Sequence, residues 1–71
     1  MNIVFSNHAK YRLNERKISV ADVKQAIKNP SSKRADEYGM MMVRKNFSKK
    51  SLEVVYKVES NRIIIITAYF I

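Results

Sequence analysis

Cysteine and tryptophan are absent from this 71-residue chain, and glycine, proline and histidine occur once each. Without cysteine there are no disulfides and no thiolate metal ligands, which fits a reducing compartment. One histidine and six acidic residues leave little for a clustered metal site. Asp36 and Glu37 are the nearest carboxylate pair, and adjacent side chains on a strand or helix point apart. No catalytic metal and no cofactor are expected. Long hydrophobic runs are also missing. Ile63 to Ile71, broken by Thr67, falls far short of the ~20 residues that span a bilayer. The opening Met1-Asn2-Ile3-Val4-Phe5 lacks the basic and long apolar regions of a secretory signal. A cytoplasmic protein with no membrane association is expected.

What the chain has in excess is positive charge. Fourteen Lys and Arg face six Asp and Glu, for a net charge of +8. On so small a body that field favours polyanions, and it points to RNA or an acidic protein partner rather than to solubility alone. The length is that of one domain over residues 1–71. A chain this short buries only ~60% of the surface its unfolded form exposes, so a partner or a second copy is a plausible source of added stability.

The hydrophobic pattern divides the chain in two. Ile3-Val4-Phe5 is a brief strand or a lead-in that packs against the first helix. Ser6 or Asn7 caps that helix over 7–16, with Ala9 and Leu13 as its apolar stripe. Ser19 caps a second helix over 20–29, with Val20, Val23, Ala26 and Ile27 on one face, and Asn29-Pro30 ends it. The two form an αα-hairpin. Residues 31–38 read as a polar linker or a ragged edge strand around Lys33 to Asp36. After Gly39 the period changes from 3.6 to 2. Strands are expected near 40–47, 52–59 and 62–70, with Ser60-Asn61 as a two-residue hairpin loop. The expected fold is therefore α+β: an N-terminal αα-hairpin packed on a three- to four-stranded antiparallel sheet. A two-helix layer covers only one sheet face, so Ile63, Ile65 or their neighbours are expected to meet a partner, such as a second copy forming a homodimer, if the other face is bare.

The most informative chemistry lies in the first helix. His8, Arg12 and Arg16 are four apart, so they drift only about 40° per step and stay on one side. An imidazole can move a proton, and guanidinium forks hold phosphate oxygens in pairs. His8 falls in the first turn, where the positive helix end and nearby Arg12 disfavour imidazolium and suit the ring to accept a proton. The same helix end is an intrinsic phosphate site. Against this stands a plainer reading, in which His8 caps or packs and the arginines form a solvated face paired with Glu15. Thr67 and Tyr69 share a face of the last strand and could hold a phosphate or stack on a base. They are equally well read as a β-favouring Thr and a half-buried Tyr. Lys10, Arg44, Lys45, Lys49 and Lys50 are candidate nucleic-acid contacts, with Arg44 and Lys45 facing opposite sides of their strand.

The string His8-Ala9-x-x-Arg12-x-x-x-Arg16-x-Ile18-Ser19, followed by Val23-x-x-Ala26-Ile27-x-x-Pro30, resembles a family of small prokaryotic domains of unassigned function. Val54-Val55-Tyr56 and Ile64-Ile65-Ile66-Thr67-Ala68-Tyr69 resemble its closing hairpin. That family is similar to the RelE, barnase, EndoU and colicin group of metal-independent ribonucleases, many of them toxins of toxin–antitoxin pairs. The resemblance implies a RelE-like fold, with a site where the first helix meets the sheet. It implies His8 as the proton-transfer group, Arg12 and Arg16 on the phosphate, and Thr67 and Tyr69 completing the site. A second histidine is missing, so the acid would be Tyr69, a lysine or water. The function expected is thus a ribonuclease toxin acting on RNA and restrained by an acidic antitoxin. The alternative is a non-catalytic basic module that binds RNA or an acidic protein.

Overall fold

The computed structural model describes residues 2–71. Its elements are β1 (Asn2–Phe5), α1 (Asn7–Glu15), α2 (Val20–Lys28), β2 (Ser32–Ala35), β3 (Met41–Asn46), β4 (Ser51–Glu59) and β5 (Arg62–Phe70). Both helices start where a serine can satisfy a free backbone donor. Ser6 Oγ accepts from Ala9 N–H and Ser19 Oγ from Asp22 N–H, each at 3.0 Å. At its other end α1 closes in a Schellman motif. Ile18 N–H donates to the Leu13 carbonyl and Lys17 N–H to that of Asn14, while Lys17 takes the left-handed conformation at φ 57°. Ile18 and Leu13 are both buried, which adds the apolar contact the motif favours.

The strands form a five-stranded sheet in the order β1-β5-β4-β3-β2. This corrects the expected three or four antiparallel strands: there are five, and the sheet is mixed, because β1 pairs with β5 in parallel. β1 is too short to show a period, and its partner lies at the far end of the chain. β2 is exposed throughout, so it carries no alternation either. The connections use local chemistry. Asp36 Oδ1 accepts from the N–H groups of Tyr38 and Met40, and Gly39 sits at φ 82°, which turns β2 into β3. Ser60 and Asn61 both have positive φ, at 52° and 60°, as a two-residue type I′ hairpin requires.

All the helices lie on one side. Ala9, Leu13, Val23 and Ala26 pack with Val43, Leu52, Val54, Tyr56, Ile65 and Ala68 in one core, with α1 over β5 and β1 and α2 over β4 and β3. Val43, Leu52, Val54 and Ile65 are fully buried, and burial of each such side chain stabilises by roughly 1.5–3 kcal/mol. Ile65 therefore belongs to the core and Ile63 packs against it. Alternation turns Met42, Arg44, Glu53, Val55, Thr67 and Tyr69 to the opposite face, where no helix lies. One irregularity sets that arrangement. The β4–β5 register shifts between Val55 and Tyr56, so Thr67 pairs with Val55 while Ile65 pairs with Tyr56. Ile66 is left as the extra residue of a β-bulge.

Candidate nucleic-acid interface

The Ser6 cap places His8 in the first turn of α1, exposed, with no hydrogen bond from its ring among the described residues. Arg12 follows one turn later, 3.6 Å from Glu15 in an exposed pair. Such a pair contributes little and yields readily to a competing phosphate. Arg16 behaves differently. It is the C-cap of α1, partly buried, and its Nη1 donates to Thr67 Oγ1 at 3.2 Å and to the Ala68 carbonyl at 2.9 Å. Helix and last strand thus meet at Arg16 and Thr67.

Tyr69 sits in a different cluster. Its phenolic O–H donates to Glu53 Oε2, across the β4–β5 pair. The other carboxylate oxygen of Glu53 lies 3.6 Å from Arg34 and 4.0 Å from Arg44. Glu53 is only 6% exposed, on a face with no helix over it. A buried carboxylate is costly without partners, and two guanidinium groups and a phenol supply them. The hydrogen bond to Glu53 raises the Tyr69 pKa above the usual 10.0; burial and the Glu53 charge push the same way, while Arg34 and Arg44 pull it down. An open cavity of about 280 Å³ adjoins the cluster, lined by Ser32, Lys33, Arg34, Met42, Arg44 and Glu53. Sequence reasoning named Arg44 but missed Arg34 and Glu53. A lone acid between apolar neighbours, in Leu52-Glu53-Val54, was the signal available.

The remaining basic residues are dispersed. Lys10 is exposed on α1 and Lys49 in the β3–β4 turn. Lys45 is half-buried and pairs with Leu52 on the helix side, so it and Arg44 do face opposite ways. Lys50 is engaged, with Nζ 3.8 Å from Asp22 and 4.7 Å from the centre of the Phe70 ring. A larger groove of about 630 Å³ runs between α2 and the β1 edge, with Ile3, Ile27 and Ile63 as floor and Lys24 and Lys28 alongside. No group of three or more His, Asp or Glu placed to hold a metal occurs among the described residues, and no helix is long and apolar enough to cross a membrane.

Fold and surface together define a small basic α+β domain, with helices on one face of a mixed sheet and a cationic cluster on the other. The chain belongs to the family described as Domain of unknown function (DUF4258), which it matches over residues 5–70. That description assigns no activity. No curated protein and no solved structure matches the chain.

Proposed function

We propose that this protein is a metal-independent endoribonuclease of the RelE-like kind, the toxin of a toxin–antitoxin pair, with His8 as its general base. The observation that carries this reading is that His8 stands exposed at the positive end of α1 with the half-exposed Arg12 one turn further along the helix. In the reaction His8 takes the proton from a ribose 2′-OH, and the 2′ oxygen attacks the adjacent phosphorus. The bond from phosphorus to the 5′ oxygen breaks, leaving a 2′,3′-cyclic phosphate and a 5′-OH. Arg12 stabilises the charge that builds on the phosphate. Arg16, held on Thr67 through Nη1 alone, keeps Nε and Nη2 for a second phosphate oxygen. Tyr69 is committed to Glu53, so a lysine or water protonates the leaving oxygen. This reading goes with a cytoplasmic location, where cellular RNA is met. The groove between α2 and β1 suits an acidic, partly apolar antitoxin segment, its carboxylates meeting Lys24 and Lys28.

One observation favours the second reading, a non-catalytic RNA-binding module. No side chain able to act as the acid is hydrogen-bonded near His8 among the described residues. A single experiment separates the two. Purified protein is incubated with total RNA, with and without chelator, and the cut ends are mapped. Cleavage that survives chelation and disappears in His8→Ala supports the enzyme. RNA retained but uncut leaves the binding module, and cleavage undiminished in His8→Ala removes His8 as the base.

A further inference from the structure

We propose that the helix-free face of the sheet is a second contact surface for single-stranded RNA, with Arg34 and Arg44 gripping its backbone and Tyr69 offering a ring for a base. The inference rests on the reading of the protein as an RNA-binding one and extends it to a surface opposite the helices. Three observations carry it.

The first is charge. The strand register puts Arg34, Arg44, Lys57 and Arg62 on this face against Glu53 and Glu59, and Lys57 and Glu59 satisfy each other at 3.2 Å. A net positive sheet face is complementary to a phosphodiester chain.

The second is construction. Glu53 is nearly buried, yet it has no apolar layer above it; its neighbours are Tyr69, Arg34 and Arg44. At 3.6 and 4.0 Å the guanidinium groups are near the carboxylate without donating hydrogen bonds to it. Arg34 Nη2 has only the Met42 sulfur besides, at 3.9 Å. Their donors remain available, and their side chains are 67% and 43% exposed. The carboxylate orders both forks while leaving them unspent. Tyr69 beside them is 36% exposed as a residue, and a tyrosine next to arginines is a stacking platform for an unpaired base.

The third is continuity. Arg34, Met42, Val55 and Thr67 form one cross-strand row, and Arg16 of α1 is bonded to Thr67 at its end. Three strand spacings, ~14 Å, separate β5 from β2. A single small anion cannot touch both ends of that row. A polymer that meets Arg12 and Arg16 at the helix can cross the β5 edge and reach Arg34 and Arg44.

The test uses His8→Ala protein as parent, so that RNA stays intact, and measures anisotropy of a short labelled single-stranded RNA across a salt series. In the Arg34→Ala/Arg44→Ala background, affinity should fall on the order of tenfold. The slope of log affinity against log salt should flatten by about 1.4, two lost phosphate contacts at ~0.7 each. Because that variant strands the Glu53 carboxylate, the Arg34→Gln/Arg44→Gln/Glu53→Gln protein is measured beside it, with circular dichroism as the check on folding, and should lose affinity alike. Unchanged affinity and slope in either folded variant would overturn the proposal. So would tighter binding of polyglutamate than of RNA, or self-association through this face in sedimentation that Arg34→Ala/Arg44→Ala abolishes. If the wild-type protein fails to cut RNA but these variants lose RNA affinity, the nuclease reading fails and the surface stands. Cleavage with unaltered binding in the variants gives the reverse.

Discussion

Arg16 is bonded to Thr67 across 51 residues of chain, through Nη1 at 3.2 Å, and the same nitrogen holds the Ala68 carbonyl at 2.9 Å. The bond sits where the sheet is short of a strand. β1 pairs with β5 only from Arg62 to Ile65, so the outer edge of β5 beyond Ile65 has no strand beside it. A guanidinium stands in the gap. An open edge is a template for pairing with other chains, and a charged side chain on it blocks that pairing.

Arg16→Ala should therefore destabilise the fold by about 1.5–3 kcal/mol, the usual worth of hydrogen bonds from a charged donor, as read by urea unfolding. Arg16→Lys keeps the charge, but its ammonium sits one bond nearer the backbone than Nη1 and is more strongly hydrated, so it should recover only part of the loss. A variant as stable as wild type would mean that the two bonds contribute nothing.

His8→Ala should leave stability within about 0.5 kcal/mol, because the ring is exposed and unbonded. Cleavage should fall by roughly 10²–10⁴-fold, the proton-transfer contribution of a positioned base. Arg12→Ala should lower both cleavage and affinity for RNA, since a guanidinium grips ground and transition states alike.

Tyr69 supplies a pH signature of its own. Its pKa is raised because the phenol proton is bonded to Glu53. The folded protein thus holds this proton more tightly than the unfolded chain, and the stabilisation is fully present below pH 10.0, the ordinary tyrosine value. It is lost as pH rises through the higher folded value. Wild type should be more stable than Tyr69→Phe near neutrality, and the difference in urea midpoint should close as the solution is made strongly alkaline. A gap independent of pH would show that the bond to Glu53 is not its source.

Lys17 holds a left-handed conformation at φ 57°, which a side chain makes unfavourable. Lys17→Gly should relieve this and stabilise the domain by about 1 kcal/mol, a rise of roughly 4–8 °C in Tm for a chain of this size. A fall in Tm would mean that the lysine contributes more through contacts than the strain costs.

Much of the fold was legible because its signals are local. Ser6 and Ser19 announce the helices, Asn29-Pro30 stops the second, and Ser60-Asn61 makes the turn its residue types allow. The exceptions depend on partners remote in sequence. Nothing in Ile3-Val4-Phe5 says that a strand 60 residues onward will lie parallel to it. The cluster on the helix-free face was hidden for a subtler reason. An unbroken hairpin from Ser60-Asn61 would set Glu53 opposite Ala68 and turn Thr67 and Tyr69 toward the helices. The bulge at Ile66 shifts the register by one, which brings Tyr69 opposite Glu53 and points both residues to the other face. Neither Ile66 nor its neighbours carry a glycine or proline that would mark the bulge. Hence Arg16 and Thr67 meet at the strand edge, while Tyr69 lies in a separate cluster with Arg34.

The parallel pairing of β1 with β5 also orders events in time. A hairpin can close as soon as its second strand is made, but Asn2–Phe5 must wait until synthesis has passed Ile65. Until then α1 lacks the strand it packs on, and Arg16 has no Thr67 to hold. The helix that bears His8 is thus seated only once β5 has emerged, which makes its docking a late event in the folding of this domain.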